Sequence, residues 1–366
     1  MEWSERNKYS SFNSMKGLTY YNNYQNILRW MDGKEPLGPP IECNLDPFAA
    51  CNLDCYFCIT QRYLVTTPQE VGPMKRLPLD YMLRLVRFLS DWGVRGLCIS
   101  GGGEPTLHSD VPEVLVAAQK AGMRTSIFTN MTVMNNELAD AMWGCQFVTW
   151  SINAADGETF KAIKGIDLFE RVKANVCRLM ERQGQAKTFV CARMLILPEN
   201  IRQIHAVCRM AKELGCGGFS IRPVDFERDD IKGHHRLALP VDAVHEQFAL
   251  CHEEETSEFK VFTVTHKFDS EFHVKHDFNE CLAPPLLLPI LSDGNAYLCV
   301  DKKMEAPFRL GSCFPNPETI LEWWGGDRHR QMMKTLDING CSRCTFGQYN
   351  RQIEAIREDS MMVSFP

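Results

Sequence analysis

Between about residue 40 and residue 225, short β-rich runs alternate with longer runs of helical period. The short runs are GLCIS (96–100), TSIFT (125–129), QFVTWSI (146–152), FVCARMLIL (189–197) and GFSIRPV (218–224). Between them lie LDYMLRLVRFLSDW (79–92), VPEVLVAAQKAG (111–122), NELADAMWG (136–144), FERVKANVCRLMERQ (169–183) and IRQIHAVCRMAKELG (201–215). Strands alternating with helices of this length predict repeated βαβ units on a parallel sheet. ECNLDPF (42–48) supplies the first strand, which makes about six. Gly93, Gly122 and Gly215 each close a helical run, as a C-terminal cap should.

Beyond residue 230 the rhythm changes. FERDDIKGHHRLA (226–238) is polar and reads as a connector, and a hairpin follows at LLLPILSDGNAYLCV (286–300), turning at Asp293-Gly294-Asn295. A helical stretch near 317–336 and a cysteine-rich turn at 340–346 complete the chain, which holds no internal repeat and no low-complexity segment. The expected organisation is an N-terminal extension (1–40), an α/β domain (41–230) and a small α+β module (231–366).

Composition narrows the function classes. A chain of 366 residues, 45% hydrophobic and 23% charged, can bury a sizeable core. Its net charge of −6 argues against a surface that coats nucleic acid or an anionic membrane, though not against one nucleotide or base in a pocket. MEWSERNKYSS lacks the plan of a signal peptide, and no apolar run is long enough to span a bilayer, so a cytoplasmic protein without a membrane partner is expected. In such reducing surroundings the 16 cysteines are not disulfide partners. Cys98, Cys177 and Cys191 sit at core positions of strands and helices, where free cysteine packs as a small apolar residue. Cys51/Cys55/Cys58 and Cys281/Cys299/Cys341/Cys344 stand apart by spacing.

CNLDCYFC (51–58) directly follows the first strand, at the end where parallel sheets place ligands. Structural zinc needs four closed ligands, and no fourth is near in sequence. A redox pair at Cys55 and Cys58 leaves Cys51 unexplained. Three thiolates on a 4Fe–4S cubane leave one iron open to another ligand. SGGGEPTL (100–107) ends the second strand; its glycines permit close backbone approach, while Glu104 has the wrong charge for a phosphate loop. WSINAADG (150–157) ends the fourth strand with polar residues.

CxxxCxxC with Phe57 before the last cysteine, followed by Gly-Gly-Glu-Pro at 102–105, resembles the signature of the radical SAM superfamily. The resemblance covers about residues 42–225 and implies a partial (βα)6 barrel. It implies that Cys51, Cys55 and Cys58 hold a 4Fe–4S cluster whose bare iron chelates S-adenosylmethionine (SAM). One electron, from a flavodoxin- or ferredoxin-type donor, then cleaves SAM to a 5′-deoxyadenosyl radical that removes hydrogen from substrate. By the same resemblance Gly102, Gly103 and Glu104 seat the SAM amino group and Ser151 and Asn153 its ribose or carboxylate. Lys164 and Arg193 are weaker candidates for the carboxylate, and MLILPENI (194–201) is one for packing adenine.

The second cysteine set resembles the twitch module, a shortened SPASM domain with one auxiliary 4Fe–4S cluster; four cysteines also make a zinc site. A full SPASM domain would place another cysteine six residues after Cys344, where Asn350 stands. Cys313 lies between the pairs and reads as structural, or as a hydrogen-atom donor such as some radical epimerases need. Only about forty residues precede the first strand, too few for a leader-binding domain. The expected substrate is therefore a small molecule or a group attached to a polymer, with oxidation, epimerisation or rearrangement as outcome. Peptide maturation and isomerisation of a modified nucleoside, the one route by which nucleic acid would enter as substrate, are the alternatives, and a non-catalytic iron–sulfur or zinc scaffold is the reading from another class.

Overall fold

The computed structural model describes residues 18–60, 75–183, 187–224, 239–264, 276–341 and 344–357. The connector at 226–238, and the boundary at 230/231 within it, lie outside the described residues. Helix α1 (Tyr21–Met31) comes first, then β1 (Glu42–Leu45), α2 (Leu79–Trp92), β2 (Gly96–Ile99), α3 (Val111–Lys120), β3 (Arg124–Thr129), α4 (Asn136–Trp143) and β4 (Phe147–Ser151). There follow α5 (Gly157–Lys164), α6 (Phe169–Glu181), β5 (Phe189–Ile196), α7 (Ile204–Glu213), β6 (Gly218–Pro223), α8 (Val241–Glu253) and β7 (Lys260–Thr263). The chain closes with β8 (Leu287–Ile290), β9 (Asn295–Tyr297), β10 (Arg309–Ser312), α9 (Ile320–Trp323), α10 (Asp327–Thr335) and α11 (Gly347–Arg357).

The described strands form one open sheet in the order β10-β9-β8-β1-β2-β3-β4-β5-β6-β7. Pairing is parallel from β8 through β1 to β7. Only the β8–β9 and β9–β10 pairs are antiparallel. The six strands expected from the hydrophobic pattern are present in that order, each joined to the next by one or more helices. Gly93, Gly122 and Gly215 do cap α2, α3 and α7, at φ of +101°, +82° and +81°.

Two parts of the sheet go beyond the pattern. Strand β7 is four residues long and follows α8, whose buried face is just Val244, Phe248 and Cys251; neither makes a strong periodic signal. The hairpin β8–β9 turns at Gly294 (φ +75°) as the sequence indicates, but its first strand lies beside β1, with Glu42 opposite Leu287 and Leu45 opposite Ile290. The C-terminal strands therefore extend the parallel sheet instead of building a sheet of their own.

One face of the sheet packs on the helices. Along β5, Val190, Ala192, Met194 and Ile196 are buried in that core. Successive strand residues point to opposite faces, so Cys191, Arg193 and Leu195 face the other side, the concave interior. On α2 the core stripe is Tyr81, Met82, Leu85, Val86 and Leu89. Helix α1 reaches across to the C-terminal elements: Trp30 Nε1 donates to Gly325 O at 2.6 Å, and Trp324 Nε1 returns a bond to Gly38 O at 2.9 Å. Among the described residues no helix is long and apolar enough to cross a membrane.

Candidate active site

After β1 the chain runs through Asp46–Ala50 into the loop that carries Cys51, Cys55 and Cys58. Cys58 N donates to Cys55 O (3.1 Å), and Asp54 N donates to Lys164 O at the end of α5 (2.9 Å). The loop is thus folded at one end and pinned in the middle. The three sulfurs lie within reach of one another electrostatically: Cys51 feels Cys58, and Cys55 feels both. Burial pushes the Cys55 thiol up to about 11 and raises Cys51 as well. Both thiols therefore stay protonated at neutral pH until a metal displaces the proton. Asn130 Nδ2, just beyond β3, lies 3.8 Å from Cys51 Sγ. Cys58 Sγ is 3.1 Å from Thr60 Oγ1, whose only proton goes to Gly102 O at 2.7 Å, so the Cys58 thiol is the donor in that pair.

The glycine loop docks on the root of this cysteine loop. Glu104 N donates to Ala50 O at 2.8 Å. A Cβ on Gly103 would stand 2.2 Å from Ala50 O and 2.5 Å from Phe48 O, and one on Gly101 would stand 1.8 Å from Gly103 O. The close approach that requires glycine at position 103 is therefore to the protein's own backbone. Glu104 is 3% exposed. Its Oε1 accepts from Thr106 N, Thr106 Oγ1 and Thr129 Oγ1 at 3.1, 2.6 and 2.6 Å, and its Oε2 from Asn130 N at 2.6 Å. The carboxylate ties the ends of β2 and β3 together. Burial still raises its carboxyl above the ordinary value, against the pull of those bonds.

Ser151 stands opposite Arg193 in the β4–β5 register, and its carbonyl accepts from Lys164 Nζ at 3.2 Å. The Arg193 guanidinium lies 5.4 Å from the Phe128 ring centroid. Asn153 is buried; its Oδ1 accepts from Leu195 N (3.2 Å) and its carbonyl from Asn200 Nδ2 (2.9 Å), which holds the ends of β4 and β5 together. Phe57 packs with Ile163 and Leu197, bordered by Cys55, Leu195 and Val224, an apolar patch beside the cysteine loop.

Sequence reasoning missed Asn130, Thr60 and Gly101. The available signal was position: Asn130 follows β3 directly, at the ligand end of a parallel strand. It also missed a largely buried ion pair at the seam with the C-terminal strands, where Lys303 Nζ meets Asp46 Oδ2 at 2.8 Å while Ser100 Oγ donates to Asp46 Oδ1 at 2.9 Å.

The second set is brought together too. Burial raises Cys281, with the charges of Cys344 and Cys341 adding to it, and Cys299 is raised by burial with Asp301, Cys281 and Cys344 contributing. Cys344 is pushed up to about 12 by burial and Asp301. Asp301 N points at Cys299 Sγ (3.4 Å), and its carboxylate accepts from Thr345 N and Oγ1 (2.7 and 2.9 Å). Asn350, at the position of the absent cysteine, is fully buried: its Oδ1 accepts from Leu282 N and Ala283 N, both at 2.7 Å, and its Nδ2 points at Cys344 Sγ (3.6 Å). Cys313 joins neither set. It is buried in the helix-side core with Cys43 and Tyr81 and donates to Gly294 O at 3.1 Å, so the structure gives it a packing role.

The family model described as Radical SAM superfamily matches residues 45–211, so that segment is a radical SAM domain. More particular likenesses diverge. A probable GTP 3′,8-cyclase of Metallosphaera sedula is 25% identical over 199 residues, 51% of this chain and 57% of that protein. The subtilosin biosynthesis protein AlbA of Bacillus subtilis is 24% identical over 196 residues, 53% of this chain and 41% of that one. The chain thus spans about half the length of these curated relatives. The crystal structure of Streptococcus suis SuiB superposes with a TM-score of 0.65 at 18% identity, over 95% of this chain and 80% of that one, which establishes likeness of fold. SuiB has also been crystallised with SAM and with its precursor peptide SuiA.

Proteins of this superfamily hold a 4Fe–4S cluster and SAM, and the residues here fit that cluster. Three soft sulfur donors lie in one another's field on this loop, with an amide N–H beside one of them. No three His, Cys, Asp or Glu side chains among the described residues close on a point as one metal ion demands.

Proposed function

We propose that the protein is a radical SAM enzyme that abstracts a hydrogen atom from a C–H bond of a polymer-attached substrate, with a peptide as the favoured polymer. The observation that carries this reading is the convergence of three thiols, without a fourth, on a glycine loop docked at their root. When bound, the cluster and SAM supply one-electron reductive cleavage and hydrogen-atom abstraction. The chain's own residues do the rest. Cys51, Cys55 and Cys58 bind iron; exposed main-chain groups of the Gly102–Glu104 loop receive the SAM ammonium; Ser151 and Arg193, neighbours across β4 and β5, take its carboxylate. Phe57, Leu195, Leu197 and Val224 offer an apolar face for adenine and exclude water. Glu104 contributes by holding the loop in place, since its oxygens are spent on protein donors.

Cys281, Cys299, Cys341 and Cys344 bind an auxiliary cluster in a twitch-type module. A peptide substrate is favoured because SuiB shares the fold over nearly the whole chain and AlbA shares sequence. The electron donor is a flavodoxin- or ferredoxin-type protein of the cytoplasm.

The test is anaerobic reconstitution with iron and sulfide, then dithionite and SAM, with chromatography for 5′-deoxyadenosine. The product is expected with the wild type and absent with Cys55→Ala, whereas Cys281→Ala lowers the iron count without abolishing SAM cleavage. An iron-loaded wild type that yields no 5′-deoxyadenosine would establish the scaffold reading instead.

A further inference from the structure

Helix α5 ends in two lysines that the fold treats differently. Lys161 is solvated, as expected of a cation at a helix C-terminus. Lys164 is 3% exposed. Its Nζ contacts are the Ser151 carbonyl at 3.2 Å and the Phe160 ring at 5.6 Å, neither of which carries formal charge. Among the described residues no carboxylate forms an ion pair with it. A buried ammonium without a counter-ion is among the costlier arrangements a protein can hold.

Its position relative to the cysteine loop is fixed. The Lys164 carbonyl accepts from Asp54 N at 2.9 Å, and Gly165 (φ +78°) lets the helix end press against Asp54, where a Cβ would stand 3.0 Å from Asp54 Cβ and O. Cys51 and Cys55 lie in its field: against the larger effect of burial, the Lys164 charge pulls both thiols down.

We propose that Lys164 is the built-in countercharge of the iron–sulfur cluster at Cys51, Cys55 and Cys58, and that it raises the reduction potential of that cluster. The proposal rests on the three-cysteine cluster reading above. Three thiolates and a reduced cubane bring net negative charge into a pocket that otherwise holds an unmatched cation. Adding one more electron there is favoured by the ammonium, since local charge, hydrogen bonding and solvent exposure set such potentials.

The experiment is a mediated redox titration of the full-length, anaerobically reconstituted protein, followed by EPR without SAM, on wild type, Lys164→Gln, Lys164→Met and Lys164→Arg, with Lys161→Met as control. At a poise in the lower part of the wild-type transition, both neutral variants are expected to hold about tenfold less reduced cluster, which is roughly 59 mV for a one-electron couple. Lys164→Arg should restore most of it, Lys161→Met should match wild type, and the signal lost in Cys281→Ala should not move. Lys164→Gln keeps a donor for the Ser151 carbonyl, so the titration remains readable if Lys164→Met misfolds. A wild-type midpoint in Lys164→Gln overturns the proposal; weaker SAM binding in that variant would then mark Lys164 as a carboxylate ligand. Iron and sulfide counts on the wild type test the cluster itself, so its absence is seen separately from an unmoved potential.

Discussion

Glu104 has two carboxylate oxygens and four protein donors around them: the N–H and O–H of Thr106, the hydroxyl of Thr129 and the main-chain N–H of Asn130. Losing that acceptor strands buried N–H and O–H groups at about 1–3 kcal/mol each, so Glu104→Ala should lower the melting temperature sharply. The pH dependence is also specified. Burial raises the folded carboxyl above 4.5, so the folded chain binds this proton more tightly than the unfolded chain does. The stability it contributes is full below about 4.5 and is lost as pH rises through the raised value. The melting-temperature difference between wild type and Glu104→Gln is therefore expected to shrink from about pH 4 to about pH 7; a difference that grows over that range would contradict the assignment. At this scale the sequence singled out Glu104 and Gly103, and the structure shows which of the protein's own groups they meet. Glu104 and Gly103 stand out in SGGGEP because of their chemistry, but Thr129, Asn130 and Ala50 are distant in the chain. Nothing local shows that these partners claim the glutamate and the glycine.

At the scale of elements, the seam between the 48–50 backbone and the glycine loop decides whether the cysteine loop is presented at all. Gly103→Ala puts a methyl 2.2 Å from a carbonyl oxygen that cannot swing away, because Ala50 O also accepts from Glu104 N. Overpacking of that kind costs about 3 kcal/mol. Gly122→Ala meets nothing within 4 Å and faces only its positive φ, about 1–2 kcal/mol. After reconstitution, the first variant is expected to lose iron from the Cys51 set, and the second to load normally with a modest fall in melting temperature. Iron analysis and thermal melts on the pair check it. Strands and helices of the barrel were legible because each buries one face and so repeats with its own period. Helix α5 was not: GETFKAIK is short, with a buried face of only Phe160, Ile163 and Lys164, and its start is set by Asp156, whose Oδ1 accepts from Thr159 N at 2.8 Å.

Over the whole molecule, long-range ties join the first and last parts of the chain to the barrel. Asp46 and Lys303 are separated by 257 positions, with side chains 0% and 12% exposed. Removing one member of a buried pair leaves the other uncompensated, at about 3–5 kcal/mol. Lys303→Met is expected to show that loss in chemical denaturation, and Lys303→Met with Asp46→Asn to recover part of it; additive losses would refute the coupling. Likewise the indoles of Trp30 and Trp324 exchange bonds between residues 30–38 and 324–325. Such contacts have no periodicity, so the sequence yields the elements while leaving unstated that the N-terminal helix buttresses the C-terminal ones.

The adjacency of β8 and β1 has a metric consequence. Cys51 leaves the sheet six residues after Leu45, and Cys281 enters it six residues before Leu287, so both cysteine groups hang from strands laced directly to each other. The distance between the two is therefore gauged by a hydrogen-bonded ladder, like marks on a ruler. Insertions in the helices and turns around the rest of the barrel would leave that gauge unaltered, whereas a slip of β8 along β1 by one residue would reset it by about 3.3 Å.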